Sequence, residues 1–194
     1  GVTLSGWYLP SSNGAAVVLL HGASSTRTAV LDQAAVLAEH GYGVLLYDAR
    51  GHGRSGGTAM DFGWYGDRDT SAAVTFLESQ PDVDDGRIAA VGMSMGGEEA
   101  IGALGADDRI AAVVAEGATV RVAGDKDWLS DEYGWRGGFQ EGLEAATTWL
   151  ADRFTPASPP ATLRSSVAGA DRPVLLITAS EARLRVRKHR MEDH

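Results

Sequence analysis

Short apolar runs alternate with longer segments of helical spacing along the chain. Residues 15–20 are an unbroken apolar run, the pattern of a strand buried on both faces. Residues 28–40 follow with Val30, Leu31, Ala34, Ala35 and Leu37 on one helical stripe, and Gly41 stands just past it as a stop. Residues 43–47 read as a second strand ending at Asp48. Residues 69–80 read as a helix with Ala72, Ala73, Phe76 and Leu77 inward, closed by Pro81. Residues 88–91 predict a strand, Ile101 and Leu104 lie on the helix after it, and residues 110–115 and 174–178 predict two further strands. This β-α-β-α alternation predicts the α/β class, a mostly parallel sheet with helices on both faces. Ligands of such sheets sit beyond the carboxyl ends of the strands, where the polar or glycine-rich stretches 21–27, 48–57 and 92–97 fall.

Between residues 116 and 170 the alternation lapses. Three of the five tryptophans (Trp128, Trp135, Trp149) lie there among many charges, and residues 147–154 read as helical. Residues 117–170 therefore predict either a small lid over the site or ordinary helix packing on the sheet. Residues 1–8 read as a strand already under way, so an upstream segment is expected.

Composition narrows the classes. A chain of 194 residues is expected to form one domain, residues 1–180. A net charge of −9 disfavours nucleic-acid partners. The absence of cysteine excludes disulfides, thiol nucleophiles and cysteine-ligated metals. No apolar run approaches the ~20 residues of a membrane span, and the start does not read as a secretory leader, so a cytoplasmic location is expected.

The chemistry concentrates at Gly92-Met93-Ser94-Met95-Gly96, between a predicted strand and a predicted helix. A serine between glycines at such a junction has the form of a nucleophile elbow; its bland alternative is a plain turn with a surface serine. The sharp turn needs small neighbours, and the helix start sets N–H dipoles beneath the hydroxyl. His21 and His52, each beside glycine in a loop, read as loop-fixing hydrogen bonders rather than bases. Asp48 reads as holding the loop after it, with pocket lining as the alternative, and Arg50 and Arg54 as anchoring that loop through carboxylates. The glycine pattern lacks G-x-x-x-x-G-K-[ST], which discounts nucleotide binding, and no metal or other cofactor is expected.

Three motifs in order, His21-Gly22-Ala23-Ser24, then residues 47–56 (Tyr-Asp-Ala-Arg-Gly-His-Gly-Arg-Ser-Gly), then Gly92-Met93-Ser94-Met95-Gly96-Gly97, resemble the α/β-hydrolase fold family, in particular its serine aminopeptidase-like and lysophospholipase-like members. The resemblance runs from about residue 1 to about residue 180. It implies a serine hydrolase acting on a small-molecule ester or amide through an acyl-enzyme on Ser94, with the backbone N–H groups of Ala23 and Met95 forming the oxyanion hole and with no cofactor. It also implies an acid after the seventh core strand, then a helix, an eighth strand and a histidine. If residues 174–178 are that seventh strand, Glu181 is the available acid.

Beyond it the chain departs from the pattern. Residues 181–194 hold His189 and His194 but too few residues for a helix and a strand, since crossovers alone take about a dozen. These 14 residues carry five basic and three acidic side chains on an otherwise acidic chain. They read as an atypical basic tail, and the fold is expected to lack its last strand and helix. The alternative function is therefore a catalytically inactive hydrolase-fold protein that binds a ligand or partner through the same pocket.

Overall fold

The computed structural model describes residues 1–58 and 61–178. Six strands form one sheet: β1 (Gly6–Leu9), β2 (Gly14–Leu20), β3 (Gly43–Tyr47), β4 (Val83–Met93), β5 (Ile110–Glu116) and β6 (Val174–Ile177), in the order β1-β3-β2-β4-β5-β6. β1 runs antiparallel to β3 and every other pairing is parallel. Parallel neighbours need crossovers. These are α1 (Leu31–Glu39) between β2 and β3, α2 (Gly66–Glu78) between β3 and β4, and α3 (Met95–Ala106) between β4 and β5. Three helices, α4 (Leu129–Tyr133), α5 (Trp135–Phe154) and α6 (Leu163–Ala168), precede β6.

Alternation within β2 explains the layers. Ala16, Val18 and Leu20 face a core shared with Val74 and Leu77 of α2 and Ile101 and Leu104 of α3. Val17 and Leu19 face the opposite side, with Val30 and Ala34 of the α1 segment. Leu77, Ile88, Leu104 and Ile110 have no exposed surface, and each such side chain contributes about 1.5–3 kcal/mol of burial free energy. Fold class, parallel core and helices on both faces all match the expectation from sequence.

The chain winds outward from β2 to β3, then crosses to the other side of β2 to enter β4. The loops after β2 and β4 therefore part toward opposite faces and leave a crevice between them, the place where ligands bind in open parallel sheets.

Element bounds differ in informative ways. α5 begins at Trp135, well before the predicted helical stretch 147–154. Glycines such as Gly137 and Gly138 weaken a helix by intrinsic propensity. In the fold, a Cβ on Gly137 would lie 1.8 Å from the Leu129 carbonyl oxygen, so glycine lets α4 cross closely over α5. β4 starts at Val83, ahead of its apolar stretch, because Val83 pairs with Gly14 before the register shifts. The expected loss of a last strand and helix, and the basic tail 181–194, lie outside the described residues. Among the described residues, no helix is long and apolar enough to cross a membrane.

Candidate active site

β4 ends at Met93 and α3 begins at Met95, which leaves Ser94 alone at the junction, with φ 52° and ψ −122°. Positive φ is costly for a residue with a side chain, on the order of 1–3 kcal/mol, and persists only where the surroundings over-determine it. Here they do. Ser94 N–H donates to the Glu116 carbonyl at 2.7 Å, and the Ser94 carbonyl accepts from Gly97 N–H at 2.9 Å and Glu98 N–H at 3.1 Å. Missing side chains supply the clearance. A Cβ on Gly96 would lie 2.6 Å from the Leu20 carbonyl oxygen, and one on Gly92 would lie 2.1 Å from the Gly96 carbonyl oxygen.

The loop after β2 lies against this junction: a Cβ on Gly22 would stand 3.4 Å from Ser94 Cβ. Its shape comes from the loop after β3. Asp48 is buried, pairs with the Arg27 guanidinium and accepts the N–H groups of Arg27 at 2.9 Å and Arg54 at 2.8 Å. Burial pushes the Asp48 carboxyl up, but these N–H donors and the guanidinium outweigh it and hold the group below its ordinary range. Asp48 is thus a loop anchor. Arg50 makes a bidentate pair with Asp69, at 2.6 and 3.1 Å. The Arg54 contribution to the loop is its backbone N–H.

The two loop histidines bond to backbone. His21 Nε2 accepts from Ala49 N–H at 2.9 Å, so its proton sits on Nδ1, 2.7 Å from the Gly22 carbonyl oxygen. His52 Nε2 accepts from Ser24 N–H at 3.2 Å, and its Nδ1 donates to the Arg50 carbonyl at 3.0 Å. Burial pushes the His21 imidazole below its ordinary value, which favours this neutral form. His40 Nδ1 lies 2.8 Å from the Val36 carbonyl oxygen, at the end of α1.

Behind the junction sits a polar cluster that the local sequence hardly marks. Glu99 of α3 is buried, and burial drives its carboxyl up to about 8; Arg121 opposes this while Asp69, Asp67 and Glu98 add to it. Arg121 pairs with Asp67 at 2.8 Å and donates to the Gly63 carbonyl at 3.0 Å. Trp64 Nε1 donates to the Arg121 carbonyl at 3.2 Å, and Thr155 Oγ1 donates to Asp61 at 2.7 Å. Trp64 also packs with Val122, Ala151 and Ala157. Residues 61–66, which lie close to both Met95 and Glu99 (a Cβ on Gly63 would stand 3.0 Å from each), are therefore tied to the segment that holds α5. The single available hint was an acid at position 99 within an apolar helix.

The fold thus gathers Ser94, Met95 and the loop carrying Ala23 at the crevice between β2 and β4. Glu181 lies outside the described residues. Among the described residues, no group of three or more histidine or acidic side chains is placed to hold a metal.

A strand, a Gly-x-Ser-x-Gly turn and a helix at the switch point of a mostly parallel sheet define an α/β hydrolase. The chain belongs to the family described as "Serine aminopeptidase, S33", whose model matches residues 11–187. It is 33% identical over 136 residues to the polyketide transferase grgF of a Penicillium species, a match covering 66% of this chain and 45% of that one. It is 32% identical over 115 residues to the uncharacterized Escherichia coli protein YfhR, covering 56% of this chain and 40% of that one. The chain thus spans less than half the length of both relatives. The Pyrococcus furiosus esterase Pf2001 shares the fold, with a TM-score of 0.68 at 24% identity, covering 98% of this chain and 74% of that one.

Proposed function

We propose that this hydrolase-family chain carries the nucleophile of a serine hydrolase that cleaves a carboxylic ester or amide. The observation that carries the reading is the φ of 52° at Ser94, held at the first turn of α3. A strained serine presented over helix N–H dipoles is arranged for attack rather than for packing.

In the proposed reaction Ser94 Oγ attacks the carbonyl carbon and its proton passes to a base. The negative charge that develops on the carbonyl oxygen is met by the N–H groups of Met95 and Ala23, the kind of donor whose loss typically costs ~2.7–4 kcal/mol of barrier. Collapse breaks the bond to the alcohol or amine, which leaves with the proton. Water then attacks the acyl-enzyme, releases the acid and returns the proton to Ser94. His21, His40 and His52 are all engaged by backbone groups, so the base is assigned to none of them. Glu181 is the proposed orienting acid. Residues 117–170 are proposed as a lid, supported by their ties to residues 61–66. The exposed Trp135, Phe139 and Phe154 of α5 favour an apolar acyl or alcohol group in the substrate.

The test is covalent labelling of the folded chain with a fluorophosphonate probe. Labelling is expected in the wild-type chain and lost in Ser94→Ala. Labelling that persists in Ser94→Ala would overturn the assignment. A folded wild-type chain that resists the probe would favour a binding role without turnover.

A further inference from the structure

We infer that His21 and His52 form a two-imidazole clamp that orients the Ala23 N–H toward the Ser94 crevice, and that His52 is a positioning residue for the reaction. The inference rests on the proposed role of Ala23 as an oxyanion donor. A peptide unit is planar, so holding its carbonyl also sets the direction of its N–H. The Gly22 carbonyl and the Ala23 N–H belong to one such plane. His21 Nδ1–H donates to that carbonyl at 2.7 Å, which turns the Ala23 N–H the opposite way. The next plane, Ala23–Ser24, is held by His52, whose Nε2 accepts the Ser24 N–H at 3.2 Å. With both flanking planes held, Ala23 has little freedom left at either torsion. Ser24 has φ 56°, a conformation a serine keeps only where something holds it.

The clamp is braced from behind. The His52 ring is set by its Nδ1–H on the Arg50 carbonyl and by the His21 ring, edge-on at 5.1 Å between centroids. Arg50 is in turn fixed by both carboxylate oxygens of Asp69 on α2. His21 is fixed through Nε2 by Ala49 N–H. A backbone donor or acceptor thus claims each of the four ring nitrogens. A general base needs a free nitrogen beside the proton it takes; a clamp needs this arrangement.

Two substitutions separate positioning from general loop support. Glutamine sets its carboxamide where Nε2 stands and can still accept from Ser24 N–H. Asparagine sets its carboxamide where Nδ1 stands and keeps only the Arg50 carbonyl. His52→Asn is expected to slow fluorophosphonate labelling and ester hydrolysis about 10- to 100-fold in kcat with KM unchanged, less than the roughly 100- to 1,000-fold of losing an oxyanion donor outright, because the Ala23 N–H is displaced rather than removed. His52→Gln is expected to stay within about three-fold of wild type on that scale. Hydrogen exchange of the amides of residues 22–26 gives a readout that needs no catalysis: it should quicken in His52→Asn and not in His52→Gln. Equal exchange in the two variants, or equal loss of rate, would overturn the clamp. If the wild-type chain takes no label, the nucleophile assignment fails alone, and the exchange comparison still decides for or against the clamp.

Discussion

Gly92→Ala is expected to lower stability by about 3 kcal/mol or more, the upper end for an overpacked site, and to drop the melting temperature by roughly 6–12 °C. The new Cβ would lie 2.1 Å from the Gly96 carbonyl oxygen, 2.3 Å from its carbon and 2.5 Å from Gly97 N. All three are backbone atoms in the first turn of α3, so no rotamer change relieves the overlap. Either β4 or α3 must move. Both are held by fully packed neighbours, Ala90 on the strand and Ala100 and Ile101 on the helix. Fluorophosphonate labelling should fall with stability, because the junction that sets Ser94 opens. Gly142→Ala in α5 is the control: its Cβ would meet nothing within 4 Å, and a helical Gly-to-Ala change is expected to stabilise by up to about 1 kcal/mol. Thermal melts of the two variants check both. Equal melting temperatures would show that the junction tolerates a side chain.

Glu99→Gln is expected to remove a pH dependence of stability. The Glu99 carboxyl is pushed by burial to about 8 in the fold, against an ordinary 4.5. Between these values the unfolded chain has released the proton and the folded chain still holds it. Unfolding therefore becomes easier as pH rises from about 5 to about 8, by about 1.4 kcal/mol per pH unit from this group alone. Below that window its contribution is fully present; above it the loss is complete. Glutamine does not titrate, so the variant and the wild type should have similar stability near pH 5 and differ by about 4 kcal/mol near pH 8, the variant being the more stable. Urea unfolding of both proteins across this range gives the difference directly. Parallel curves would show that Glu99 is ionised in the fold and that Arg121 holds it so.

Ser94 was legible because everything that marks it is local. An apolar strand, two glycines and a helix start lie within one short stretch, and a turn that needs small residues writes glycine into the sequence. The central strand of the core was legible for a similar reason, since burial on both faces demands the continuous apolar run at residues 15–20. α5 was not legible over its first half. Gly137 and Gly138 weaken a helix by propensity, and only the crossing of α4 over α5 explains why glycine stands at position 137.

The polar network was beyond sequence reasoning for a different reason. Arg121 is buried and meets Gly63 and Asp67, separated from it by 58 and 54 positions. No pattern near Arg121 encodes that distance. The roles of His21 and His52 as loop fixers were readable from their glycine-flanked setting, but not which nitrogen carries the proton. That follows from the backbone N–H groups of Ala49 and Ser24, and each comes from the loop opposite.

By itself the sequence determined the class of fold, the strand that delivers Ser94 and the glycines around it, because hydrophobic period and turn chemistry act over a few residues. Only the tertiary structure decided that residues 61–66 join the α5 segment to Met95, that Glu99 is stripped of solvent, and that two imidazoles hold consecutive peptide planes. Those outcomes depend on groups far apart in the chain, and it is the packing of the sheet and its helices that brings them within hydrogen-bond distance.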